Sequence, residues 1–375
     1  MKLIINKKDI LECIANLQGI TGRKTNLAIT SCILIKTESS DTISINANDL
    51  ETGFEGIYPA IVVEEGVIAV NSKIFFEIIK EYPDEKILIT KDENRKIKIG
   101  EGKLEFNLVS MNEEEFPDNP IIEQVDYFEI DSFYLRKMIS QTVLIGTTPD
   151  EKKAYINGVY FNLTKEGENK KIEITSTDGG RLSRSKYIYK DDQNISFEKY
   201  QIIPKKGLSE LLKFIDNEII IKIGFKGSNF ILKKDNETIT IRLLEGKFPE
   251  HKDILKTDSC NSIIINKNIF SMVLRRMSIL SATDGYYKSV IFNFDNDKLT
   301  ISSADFEKGE SKEDIDIEYK GEKFKAAFNS KFFIDLMNLM IDKNIILYIK
   351  NKEKPCVIEG ENDKTFKTAI MPMEV

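Results

Sequence analysis

Ser176-Thr177-Asp178-Gly179-Gly180-Arg181-Leu182-Ser183 is the stretch on which the reading of this chain turns. It follows a strand-like run, Ile172-Glu173-Ile174-Thr175, and leads into the more polar Ser183-Arg184-Ser185-Lys186. Asp-Gly between two alternating runs predicts a hairpin turn. A carboxylate beside two glycines and an arginine at a strand exit also has the make-up of a catalytic turn. The rest of the chain decides between them.

The pattern occurs three times. Asn46-Ala47-Asn48-Asp49, Thr175-Ser176-Thr177-Asp178 and Ser302-Ser303-Ala304-Asp305 place their aspartates 129 and 127 residues apart. Each copy lies between two helix patterns. The first copy has helices at about 7–18 and 71–82, with Asn71 or Ser72 as N-cap and Pro83 after the end. The second has them at 131–142 and 204–215, with Pro204 in the first turn. The third has them at 267–280 and 329–340. The second helix of each unit carries a lysine in a matching place, Lys73, Lys206 and Lys331. Strands with period-two alternation fill the intervals, among them Cys32–Ile35, Ile43–Asn46, Lys96–Ile99, Lys103–Leu108 and Thr238–Leu243. The linkers Glu115-Phe116-Pro117-Asp118 and Lys247-Phe248-Pro249-Glu250 also rhyme. A period near 130 is far longer than the ~20–50 residues of a solenoid and means duplicated domains. The expectation is an α+β protein of three similar domains, at 1–122, 127–249 and 259–375.

An aspartate placed three times at one strand exit is more economically a turn residue than an acid. Only the middle copy continues as Gly179-Gly180-Arg181-Leu182, where the others have Leu50-Glu51 and Phe306-Glu307. Other catalytic signatures are missing. Gly19-Ile20-Thr21-Gly22-Arg23-Lys24-Thr25 has its glycines too close for a phosphate loop. A single histidine, His251, excludes most familiar triads and is expected on a solvated linker. Four scattered cysteines with no Cys-x-x-Cys leave no zinc site, and buried reduced thiols are expected.

The 375 residues are 41% hydrophobic and 31% charged, an ordinary globular profile. No run approaches the ~18 apolar residues of a membrane span, and Met1–Ile5 is too brief for a secretory core, so a cytoplasmic protein is expected. Net charge is −7, yet the six helix patterns together carry +6 and the remainder −13. The helix cations include Arg136, Lys137, Lys205, Lys206, Lys213, Lys267, Arg275 and Arg276. Basic helices with acidic strands and loops predict sequence-independent, salt-sensitive phosphate contacts.

These features meet in one family. The chain resembles the DNA polymerase III beta subunit, the bacterial sliding clamp, over essentially its full length. The likeness is carried by Asn48-Asp49-Leu50-Glu51, Tyr155-Ile156-Asn157-Gly158, Thr177-Asp178-Gly179-Gly180-Arg181-Leu182, Glu245-Gly246-Lys247-Phe248-Pro249 and Met371-Pro372-Met373. It implies three clamp domains, each two helices on antiparallel sheet, and a head-to-tail homodimer closing a ring around duplex DNA. A heterologous contact that closes after two copies uses different surfaces on each partner. By family position, Phe106 and Leu108 would meet Ile279 and Leu280 across that interface. The implied peptide pocket comprises Tyr155, Ile156, Thr177, Gly179, Arg181, Leu182, Pro249, Ile254, Pro355, Met371, Pro372 and Met373. Methionines suit an adaptable surface, and glycine lets a peptide approach closely. Arg23 matches a DNA-contacting arginine, and Lys73, Arg136, Lys137, Lys205, Lys206, Arg275 and Arg276 are the helix cations placed with it. Gly180 departs from a usual bulkier residue, Ala154 from a frequent aromatic and Glu374-Val375 from a basic-apolar ending.

The resulting expectation is a non-catalytic processivity factor without metal or cofactor. Its implied partners are sequence-independent duplex DNA, the polymerase III catalytic subunit, the clamp loader, and other polymerases and repair proteins bound through short peptides. Two alternatives stand beside it: a peptide-binding scaffold that never holds DNA, and a hydrolase using Asp49, Asp178 or Asp305.

Overall fold

The computed structural model describes the chain except residues 24, 121–123, 146–153, 167–168, 190–199, 216–218, 282–288, 306 and 374–375, and the side chains of 154–155, 164–166 and 169–170. Phe306 and the Glu374-Val375 ending therefore lie outside the described residues. The helices are α1 (Lys7–Thr21), α2 (Ser72–Glu81), α3 (Ser132–Val143), the single turn α4 (Ala154–Asn157), α5 (Lys205–Leu211), α6 (Lys267–Met277) and α7 (Ser330–Met337). All strand pairing within the named strands is antiparallel, in sheets of twelve, eight and four strands.

The chain forms two compact units, 1–136 with 206–243, and 137–205 with 244–375. In the first, the strand Thr52–Glu64 pairs with Glu237–Arg242, carrying one sheet from the first repeat into the second. In the other, Arg181–Tyr189 pairs with Phe366–Ile370, joining the second repeat to the third. The registers Thr52↔Ile241 and Arg181↔Ile370 correspond, each beginning three residues after the repeated aspartate.

Helix starts follow from their caps. Asn71, Asn266 and Asn329 each accept backbone N–H groups of the first turn, satisfying donors that have no intrahelical partner. Of the two expected caps of α2, Asn71 does the capping. α5, α6 and α7 end at Leu211, Met277 and Met337, short of the 215, 280 and 340 that the apolar periodicity suggests, whereas α1 runs on past 18 to Thr21. Pro204 does not open α5 but ends the strand Gln201–Pro204, opposite Gly158. That strand is at the margin of the eight-stranded sheet, where a residue without N–H costs no ladder bond. Likewise Lys103 belongs to a turn, Leu104 lies outside any strand, and the strand begins at Phe106.

Apolar side chains of α6 and α7 close over the sheets of the second unit. Phe270, Phe292, Phe328 and Phe333 are fully buried with ring centroids 5.1 to 5.9 Å apart. Burying each such ring contributes roughly 1.5–3 kcal/mol. Cys13, Cys32 and Cys356 are buried free thiols, whereas Cys260 is partly exposed.

Candidate functional site

The repeated aspartates do one job. Asp49 Oδ1 accepts the N–H groups of Glu51 (3.0 Å) and Thr52 (2.6 Å). Asp178 Oδ1 accepts those of Gly180 and Arg181, both at 3.0 Å. Asp305 Oδ1 accepts those of Glu307 (3.0 Å) and Lys308 (3.1 Å). The second oxygen holds a cation each time: Arg23 at Asp49, Arg181 Nε at Asp178 (3.1 Å) and Lys308 at Asp305 (3.7 Å). The backbone N–H of Glu307, with that of Lys308, holds the Asp305 carboxyl below its ordinary range. Such carboxylates are turn acceptors, one oxygen on the backbone and the other beside a cation.

In the middle copy the turn joins Asn169–Thr177 to Arg181–Tyr189, with Thr177 opposite Leu182. Gly179 takes φ +92°, a left-handed conformation that glycine adopts without steric cost. Thr177 Oγ1 accepts from Gly179 N–H (3.1 Å) and donates to Arg181 carbonyl (2.8 Å). Arg181 is 8% exposed. Its guanidinium lies 4.3 Å from the Phe332 ring centroid and reaches Asp335 at 3.3 Å. Phe332 also stands 3.1 Å from where a Gly180 Cβ would be, so the ring occupies the space a bulkier residue would need. Sequence reasoning missed Phe332 and Asp335; they follow Lys331 in a helix whose pattern signals only the Phe333 face.

Under the turn, Lys205 Nζ donates to the carbonyls of Ile156 (2.5 Å) and Thr177 (3.3 Å). Lys205 is 1% exposed, which corrects its placement among outward DNA-facing cations: its ammonium is an internal donor. Burial lowers its pKa to about 8, with Asp178 opposing that fall and Arg181 adding to it. His251 is corrected too. It is buried against Tyr160 and Phe248, with Nδ1 3.0 Å from the Pro249 carbonyl.

The twelve expected pocket residues all lie in the second unit, but not in one hollow. Leu182 packs with Leu255, Val357 and Ala369, with Ile254 and Tyr348 against them. Ile254, Pro355 and Met371 line a cavity of about 410 Å³. Met373 lines another of about 540 Å³, with Ile291, Ala326 and Ala327; both cavities share Glu353. The terminal segment gives Met371 to one and Met373 to the other, and is pinned by Met371 N–H to Gly180 carbonyl (2.9 Å) and Met373 N–H to Ala327 carbonyl (2.8 Å). Pro372 between them is half-buried, and Ile156 and Thr177 are buried. Pro249 is exposed; the Tyr155 side chain lies outside the described residues.

The remaining expected cations sort by partner. Arg23 is held by Asp49 and Glu51 with its side chain 7% exposed. Arg136 donates to the carbonyls of Leu212 and Ile215, Lys137 pairs with Asp363 at 2.8 Å, and Arg276 with Glu313. Lys73, Lys206 and Arg275 are exposed with no charged partner among the described residues.

Family models of the DNA polymerase III beta subunit match end to end: the N-terminal domain over residues 1–120, the central domain over 129–250 and the C-terminal domain over 252–374. The chain belongs to the DNA polymerase III beta subunit family. A beta sliding clamp of Chlamydia pneumoniae is 26% identical over 375 residues, covering 100% of this chain and 99% of the relative. That of Bacillus subtilis is 27% identical over 384 residues, with coverage of 100% and 99%. The crystal structure of the DNA polymerase sliding clamp from Bacillus subtilis superposes with a TM-score of 0.92 at 26% identity, covering 100% and 99%. A sliding clamp from Pseudomonas aeruginosa bound to griselimycin has the same fold, with a TM-score of 0.89 at 21% identity over 100% of both chains. Membership in the beta-subunit family makes the chain a sliding clamp, a processivity factor of DNA replication and not an enzyme.

Proposed function

We propose that two copies join head to tail around duplex DNA and that the residues around the Thr177–Leu182 turn dock short peptides of polymerases, the clamp loader and repair proteins in the cytoplasm. Three clamp domains, at 1–122, 127–249 and 259–375, would each turn basic helices toward phosphate. The observation that carries this reading is the succession of three beta-subunit domains in one chain. A ring needs only diffuse attraction, because topology retains it. Lys73, Lys206 and Arg275 are the outward cations for that attraction, with Arg136, Lys137 and Arg276 available once their present partners give way. Phe106 and Leu108, meeting Ile279 and Leu280, would close the dimer.

Docking would centre on the cavity where Ile254, Pro355 and Met371 lie among charged side chains such as Lys256, Lys350 and Lys354, and continue to that at Met373, with Leu182 packed near Ile254; Pro249, Ile156 and Tyr155 are proposed to border it. Griselimycin, bound by the Pseudomonas aeruginosa clamp, is the probe for this socket. Removing Met371 to Val375 should abolish griselimycin binding while the dimer persists; unchanged affinity would dismiss the socket. For the ring, the protein is loaded on a nicked circle, which is then cut. Retention on the circle and rapid loss after linearisation is expected, and equal loss from both would sink encirclement.

A further inference from the structure

We infer that Lys205 is the positioning residue of the peptide socket, its buried amine tying the Tyr155–Ile156 turn to the Thr177–Leu182 turn and so fixing the distance between these two walls. The inference rests on the socket reading above. Lys205 is the first residue of α5, directly after the edge strand that ends at Pro204. Its neighbour Lys206 is exposed, so one step along the helix separates an outward cation from an internal donor. The two carbonyls it binds are 21 residues apart in sequence and belong to different elements, α4 and the strand Asn169–Thr177.

Neither carbonyl is a casual acceptor. Ile156 is followed by the strand beginning at Gly158, and α4 is a single turn too short to hold itself. Thr177 already uses its hydroxyl on Gly179 and Arg181 within the turn. The amine takes the Thr177 main-chain carbonyl, and at Gly179 no atom lies within 4 Å of where a Cβ would stand. Charged groups acting on it are Asp178 and Arg181, and the latter is itself paired with both Asp178 and Asp335. A buried charge-assisted donor to two carbonyls is stronger than neutral bonds and costly to remove.

Three proteins separate this role from general stability: wild type, Lys205→Met, and Lys226→Met as an exposed lysine outside both the proposed socket and the DNA-facing cations. Griselimycin affinity is measured by calorimetry at pH 7.0 and pH 9.5, with circular dichroism confirming the fold. Lys205→Met should weaken binding about tenfold at pH 7.0, near the worth of one charged hydrogen bond. Lys226→Met should bind as wild type. Wild-type affinity should fall a few-fold toward pH 9.5 as the amine loses its proton, and Lys205→Met should show no such fall. If Lys205→Met does not fold, Lys205→Gln, which keeps an N–H donor, should fold and bind with intermediate affinity. Wild-type binding with equal affinity in Lys205→Met or Lys205→Gln, or a pH profile shared by all variants, overturns the inference. No binding by the wild type overturns the socket reading instead.

Discussion

At Gly179 no atom lies within 4 Å of where a Cβ would stand, so a substitution there meets conformational strain alone. With φ at +92°, alanine should lower stability by about 1 kcal/mol, read as a shift in urea midpoint. The matching position in the first copy already carries that strain, since Leu50 sits at φ 75°. Lys205 gives a second prediction, in pH. Burial depresses its pKa from 10.5 to about 8, so between those values the folded chain holds fewer protons than the unfolded one. Stability relative to Lys205→Met should then rise with pH from about 8 to 10.5, approaching 1.4 kcal/mol per unit at the steepest. Parallel denaturation of both proteins across that range checks it, and a flat difference would contradict it. That Asp178 belongs to a turn was legible because three copies agree. The burial of Lys205 was not, because a lysine opening a helix reads as solvated unless the sheet beneath it is known.

Secondary-structure elements show the same division. The second helix of the first repeat and both helices of the third are capped by the asparagine before them, whereas Asn6 before α1 makes no such bond. Asn266 accepts from Asn268 at 3.1 Å and Ile269 at 3.2 Å, so Asn266→Ala should cost about 1 kcal/mol in a denaturant titration. Helix ends depend on what lies beyond the helix and were misread in both directions, too long at 204–215 against Lys205–Leu211 and too short at 7–18 against Lys7–Thr21. Pro204 was misplaced for a similar reason: its ring suits a first helical turn or an edge strand equally, and pairing with Gly158 is a long-range fact. The linker around His251 looked exposed by its charges. Tyr160 and Phe248, 88 residues apart, enclose the ring, and nothing local records that. The turn was legible; Phe332 and Asp335, which anchor Arg181, were not.

For the whole molecule the open question is how two copies would close. The twelve-stranded sheet ends at Phe106–Val109 and the four-stranded sheet at Gly309–Asp316, and an unpaired strand edge is a template for another chain. Phe106 and Leu108 on the first edge are half-buried, and Val109 between edge and solvent is 74% exposed. Ile279, just past α6, is 72% exposed, an apolar side chain that gains from being covered. A head-to-tail ring uses each surface once per interface, so damage to either one opens both junctions. Leu108→Asp and Ile279→Asp, made separately, should each place an unpaired carboxylate in the contact and cost several kcal/mol of association. Sedimentation should show wild type at twice the chain mass and each variant at the chain mass. Both variants should still bind griselimycin within about twofold, because every proposed socket residue lies outside the substituted positions. They should also fail to stay on a nicked circle at salt where wild type stays, since an open chain keeps only its diffuse phosphate contacts. Dimers that persist in both variants would remove these residues from the interface, while loss of griselimycin binding would assign their effect to folding.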